Sequence, residues 1–160
     1  MTPSGLMNRY DFVIIGGGSA GCVLANRLSE NVNWTILLLE AGGDETILSD
    51  VPLMFPTLQH TGLDWQFKTE PSSNYCRAFN GGQSNWPRGK VLGGSSVLNA
   101  MLYVRGNRRD YDKWRDAGNS GWDYDSILEY FKKSENIEGI QELIDSQYHG
   151  KNGPLNIEHF

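Results

Sequence analysis

Six residues set the strongest limit on how this chain can fold. Gly16-Gly17-Gly18-Ser19-Ala20-Gly21 has the spacing G-x-G-x-x-G and sits between an apolar run, Asp11-Phe12-Val13-Ile14-Ile15, and an amphipathic stretch from Gly21 to Glu30. The apolar run reads as a strand buried on both faces of a parallel sheet. In the amphipathic stretch, Val23, Leu24, Arg27 and Leu28 recur at helical spacing, giving one apolar face with a polar edge. A second apolar run, Trp34 to Leu39, ends on Glu40. Strand, helix and strand within forty residues imply a right-handed crossover and two parallel strands.

At such a turn each glycine has a physical task. Gly16 permits the tight bend, Gly18 lets backbone approach a pyrophosphate, and Gly21 lets helix and strand pack closely. Ser19 and Ala20 stand at the helix N-terminus, whose free N–H groups attract phosphate. Glu40 lies nineteen residues past Gly21. An acid at that place accepts hydrogen bonds from both hydroxyls of an adenosine ribose and disfavours a 2′-phosphate. The turn serves FAD and NAD equally, because both carry ADP.

The chain beyond Glu40 separates the two cofactors. A nicotinamide enzyme would continue into a further helix and parallel strand. Here Gly42, Gly43, Pro52, Pro56, Pro71, Gly81, Gly82, Pro87 and Gly89 punctuate a long irregular excursion, as expected where a flavin must be covered along its length. A second glycine-rich approach, Gly89 to Gly94, leads to Ser95 and Ser96, either of which can cap a helix expected over Ser95–Tyr103 and present another anion-attracting terminus. Further helices are expected over Asn107–Trp114, with Asn107 as its cap, and over Asp125–Lys133, with Ile127, Leu128 and Phe131 as its apolar stripe. The tail from Tyr148 to Glu158 reads as a glycine turn entering a strand.

Charge removes one class of function. A net charge of −5 with no Lys/Arg block gives no basic face for nucleic acid. Cys22 and Cys76 have no metal-ligand spacing and read as free structural thiols, and no metal site is expected. Residues 1–10 contain no apolar run that would suggest a signal peptide or a membrane span, which leaves the compartment open.

The segment Gly89 to Gly106, running on to Asp112, resembles the signature of the glucose–methanol–choline oxidoreductases. Glu40-Ala41-Gly42, Asp64-Trp65, Lys68-Thr69-Glu70-Pro71, Trp86-Pro87-Arg88-Gly89-Lys90, His149-Gly150 and Gly153-Pro154-Leu155 stand in that family's order, so the resemblance runs from about Tyr10 to Glu158. It implies an α/β fold: an FAD-binding Rossmann-like βαβ unit, a loop-rich excursion that covers the flavin, and helices after it, the whole an incomplete domain. Residues 10–115 would be the first part of the FAD domain, and 116–160 a helical segment opening the substrate domain.

Carried over by position, the resemblance puts the ADP of FAD on Gly16, Gly18, Ser19, Ala20 and Gly21, with the ribose on Glu40 and Ala41. Val91, Ser95, Asn99, Ala100, Met101 and Leu102 would line the ribityl chain and the flavin ring. Where some family members carry a histidine that binds flavin covalently, this chain has Leu98, so non-covalent FAD is implied. The family's reaction moves hydride from an alcohol carbon to the flavin, and a small alcohol or sugar is the expected substrate. None of His60, His149 and His159 falls in a stretch resembling the family's catalytic segment, so no catalytic residue is assigned and the chain alone is expected to be inactive. His149 reads as a loop-capping or solvated residue, and Tyr103, Tyr111, Trp114, Trp122 and Tyr130 as core. A truncated, non-catalytic binding module and an NAD-dependent dehydrogenase domain are the competing readings.

Overall fold

The computed structural model describes residues 5–137 and 145–158, which form two compact units, one ending at Leu102 and the other beginning at Tyr103. In the first unit, β1 (Phe12–Ile15) and β2 (Ile36–Leu39) pair in parallel, Phe12 opposite Ile36 and Ile15 opposite Leu39. Helix α1 (Ser19–Ser29) makes the crossover. The βαβ reading of the sequence therefore holds, with boundaries moved by a residue or two.

Burial on both faces does not hold for β1. Only Ile14 is buried, whereas Ile15 is 86% exposed. The reason is geometric: among the described residues these two strands pair only with each other, and α1 is the helix packed against both.

The excursion contains a 3₁₀ turn (Pro52–Met54), the single-turn helix α2 (Phe55–Leu58), and a short antiparallel ribbon of β3 (Phe67–Lys68) and β4 (Asn85–Trp86). Sequence periodicity does not reveal strands of two residues. Leu58, Val91 and Leu98 join Ile14 in the buried core of this unit.

The helix expected over Ser95–Tyr103 is not formed. A single 3₁₀ turn, Gly94–Ser96, stands in its place. Asn99 explains why the turn goes no further: its Oδ1 accepts from the Met101 N–H at 2.7 Å, and Met101 takes a φ of 55°. A local side-chain turn of this kind competes with helical hydrogen bonding.

In the second unit both expected helices are present. Helix α3 (Arg108–Asp116) is opened by Asn107, whose side chain accepts from Arg109 N while Asp110 accepts from Asn107 N, a reciprocal cap. Helix α4 (Tyr124–Ser134) is capped by Asp123 and buries Leu128. It passes directly into β5 (Glu135–Ile137), which pairs in parallel with β6 (Leu155–Ile157), the strand expected after the glycine turn.

Of the five aromatic residues read as core, Tyr103 and Tyr111 are half-buried, Tyr111 packing against Trp114, Tyr124 and Phe131, and the other three are placed otherwise. Trp114, Trp122 and Tyr130 are exposed among the described residues and border a groove of about 710 Å³. Cys22 and Cys76 are free thiols.

Candidate cofactor-binding site

The glycine turn is built as its sequence requires. Gly16 has a φ of +98° and donates its N–H to Leu39 O at 2.7 Å, tying the turn to the end of β2. A Cβ on Gly21 would stand 1.9 Å from Gly16 O, so no side chain fits where α1 crosses the turn. Gly18 is the N-cap of α1 in an extended conformation, and no side chain caps the first-turn N–H groups. Those donors are what an anion binds at a helix terminus.

Glu40 is held at both oxygens. Oε2 accepts from Gly17 N at 2.6 Å and Oε1 from Gly42 N at 2.8 Å. An ionised carboxylate has about four acceptor sites, so two remain for a ribose.

The second glycine motif is locked onto the first. Gly93 N donates to Gly17 O at 2.7 Å, and the Ser19 and Ser96 hydroxyls are hydrogen-bonded. Gly94 has a φ of +59°, and a Cβ on it would stand only 2.7 Å from Gly18 Cα. Ser95 Oγ accepts from Gly89 N at 3.1 Å. The two motifs thus approach backbone to backbone across a gap of 77 residues between Ser19 and Ser96.

Beside them lies a cleft of about 930 Å³. Gly16, Gly18, Ser19, Ala20 and Gly21 line it, as do Glu40, Ala41 and Ser95. Val91 is fully buried beneath the second motif, where Leu92 N donates to Gly43 O at 2.8 Å. Asn99, Ala100, Met101 and Leu102 do not line this cleft, and Met101 and Leu102 are exposed.

Trp65, Phe67 and Arg88 also line the cleft, and residue order alone does not point to any of the three as a site residue. Asp64 organises them. Its buried carboxylate accepts from the backbone N–H groups of His60, Gln66 and Arg88, each at 2.9 Å. Burial pushes this carboxyl up, but the three backbone donors outweigh it and hold it below the usual aspartate range, with His60 adding to the effect. The signal available in the sequence is the Asp64-Trp65 pair and the Trp86-Pro87-Arg88 run, without the pairing that joins them.

The sequence profile of the GMC oxidoreductases matches residues 10–159. The chain belongs to that family. It is 50% identical over 151 residues to a glucose dehydrogenase (FAD, quinone) of Drosophila melanogaster, covering 94% of this chain and 24% of that protein. Against an oxygen-dependent choline dehydrogenase of Vibrio vulnificus identity is 44%, covering 94% of this chain and 26% of the relative. Among solved structures, pyridoxine 4-oxidase from Mesorbium loti superposes with a TM-score of 0.81 at 39% identity, over 92% of this chain and 28% of that one. The chain therefore spans about a quarter of the length of the relatives it matches.

The fold is that family's FAD-binding fold, and the residues present fit FAD. The uncapped α1 terminus suits the pyrophosphate, and the glycine contact between Gly18 and Gly94 leaves backbone rather than side chains next to it. Glu40 keeps acceptors for a ribose.

The histidines are accounted for differently. His60 gives its N–H to Asp64 and takes a φ of 60°. His149, read as loop-capping or solvated, is half-exposed and ties its loop to β5, its Nδ1 lying 2.8 Å from Oε1 of the fully buried Glu135. Arg105 pairs with the same carboxylate, and Gly150 N donates to it at 2.9 Å. His159 lies outside the described residues. Among the described residues no helix is long and apolar enough to cross a membrane.

Proposed function

We propose that these residues hold the ADP half and part of the flavin half of FAD in a flavoprotein that oxidises a CH–OH group of a small alcohol or sugar. The observation that carries the reading is the interlock of two glycine motifs, Gly17 with Gly93 and Gly18 with Gly94, beside a cleft that also contains Glu40. Gly16, Gly18, Ser19, Ala20 and Gly21 bind the pyrophosphate through backbone donors. Glu40, flanked by Ala41, binds the ribose. Ser95 lies toward the flavin, with Val91 supporting it from below, and Asn99, Ala100, Met101 and Leu102 form the flavin end.

When bound, FAD supplies the hydride acceptor. The described residues fix and orient it; none of His60, His149 or His159 is assigned as the base for the alcohol proton, and these 160 residues alone should show no turnover. Identity to the Drosophila enzyme favours a glucose dehydrogenase-like substrate class. FAD is bound non-covalently, in keeping with Leu98, which is buried in the core at the position where a histidine would form the bond.

Two measurements test this in the full-length protein. Glu40→Ala should weaken FAD binding by about 10- to 150-fold, the equivalent of a hydrogen bond to a charged acceptor worth roughly 1.5–3 kcal/mol. An unchanged dissociation constant would remove Glu40 from the site. Acid precipitation should leave a yellow supernatant and a colourless pellet, whereas flavin that stays with the polypeptide would refute non-covalent binding.

A further inference from the structure

Two Asn-Gly steps occur in the chain, Asn80-Gly81 and Asn152-Gly153, and neither lines the cofactor cleft. Such a step has a chemistry of its own. With no Cβ on the second residue, its backbone nitrogen can close on the asparagine side-chain carbonyl without steric hindrance. Closure needs that nitrogen unengaged and the backbone able to turn toward the side chain.

The fold treats the two steps oppositely. At Asn152-Gly153 the Gly153 N–H donates to Glu135 O at 3.0 Å, and the Asn152 N–H donates to Asn136 Oδ1 at 3.0 Å. A Cβ on Gly153 would stand 2.4 Å from Glu135 N, so this backbone lies hard against the start of β5. The nucleophile is occupied and its surroundings are closed.

At Asn80-Gly81 none of this holds. Both residues are exposed and share one 3₁₀ turn, Asn80–Gly82, on the loop between β3 and β4. The N–H groups on either side are engaged, Phe79 N with Cys76 O at 2.9 Å and Gly82 N with Phe79 O at 3.0 Å. Among the described residues the Gly81 N–H donates no hydrogen bond. Gly81 takes a φ of 69°, and a Cβ there would meet only Gln83 Oε1, at 3.7 Å.

We infer that Asn80 is a site of spontaneous deamidation, and that Asn152, within the same dipeptide, is protected by its fold. The Gly81 nitrogen attacks the Asn80 side-chain carbonyl carbon, and a new N–C bond forms as the C–N bond of the side-chain amide breaks. The Gly81 proton passes to solvent, and the side-chain nitrogen leaves as ammonia. Water then opens the cyclic imide at either carbonyl, giving aspartate or isoaspartate. Nothing is oxidised or reduced: water is consumed and ammonia released.

Either product adds a negative charge to the loop. Isoaspartate also inserts a carbon into the backbone close to Gly82, whose carbonyl accepts from Ser72 N at 3.4 Å. The conversion therefore acts on a contact that closes the loop on itself.

The test incubates the full-length protein at mildly alkaline pH and follows both sites by peptide mass spectrometry, with labelling by an isoaspartate-specific methyltransferase as the second readout. Asn80 should convert at least about fivefold faster than Asn152, the factor imposed by freeing one hydrogen-bonded N–H at about 1 kcal/mol. In urea the two rates should converge, since the fold is what separates them. Asn80→Gln should remove the isoaspartate signal from this loop and leave the Asn152 rate unchanged.

Equal rates in the native protein, or faster conversion at Asn152, would overturn the inference. So would an Asn80 that stays intact in the native protein while both sites convert in urea. A difference that persists undiminished in urea would trace it to the flanking residues and refute protection by the fold.

Discussion

Asp64 in the first unit and Glu135 in the second are both buried carboxylates, and they are satisfied by opposite means. Asp64 accepts from three backbone N–H groups and, among the described residues, forms no salt bridge. Glu135 sits in an ion pair with Arg105, whose side chain is itself nearly buried, with His149 and Gly150 N completing its shell. The two carboxylates therefore organise different things. Asp64 gathers backbone from two separate loops and so shapes one wall of the cleft. Glu135 gathers side chains and ties the start of β5 to the loop before β6.

Removing charge should separate them. The largest effect is expected for Glu135→Gln, which leaves Arg105 without its anion in a buried place. Breaking one partner of such a pair costs about 3–5 kcal/mol, read as a lower thermal midpoint of the full-length protein. Asp64→Asn should cost less, about 1.5–3 kcal/mol, because no buried cation is orphaned, although one amide then faces a backbone donor. Equal losses from the two substitutions would erase the contrast.

Asp64→Asn should also weaken FAD binding, since Trp65 and Arg88 depend on its position, while Glu135→Gln should change FAD affinity less than stability. Titration of each apoprotein with FAD reads this difference.

Acid offers a smaller effect that bears on Asp64 alone. Its carboxyl is held below the usual range in the folded protein. The stability it contributes is therefore fully present above the unfolded value of about 3.9 and is lost as pH falls through the lower folded value. Wild type should lose this stability only below about pH 4, and Asp64→Asn should show a shallower acid limb. A variant whose acid limb matches that of wild type would deny Asp64 this role.

Much of the site is legible in residue order because its chemistry is local. Gly16 to Gly21, the strand before them and Glu40 lie within one crossover, and glycine has few reasons to recur at that spacing. Asn107 and Asp123 announce their helices for the same reason: a cap acts within three residues. The parts that are not legible depend on distant partners. The ribbon of β3 and β4 spans a loop from Lys68 to Asn85, and Asp64 meets Arg88 across 24 residues. The expected helix after Ser95 fails on a single local competitor, Asn99, whose turn to Met101 outweighs the surrounding apolar periodicity.

Whether the glycine turn at the head of α1 holds FAD is decided by purifying full-length wild type and Gly18→Val side by side. Flavin absorbance per polypeptide is measured first, then FAD binding to each apoprotein. Wild type should carry bound FAD and the variant should be folded but colourless, since a branched side chain there holds the pyrophosphate away from the backbone donors. A folded Gly18→Val with a full flavin complement and an unaltered dissociation constant would contradict FAD binding at this turn.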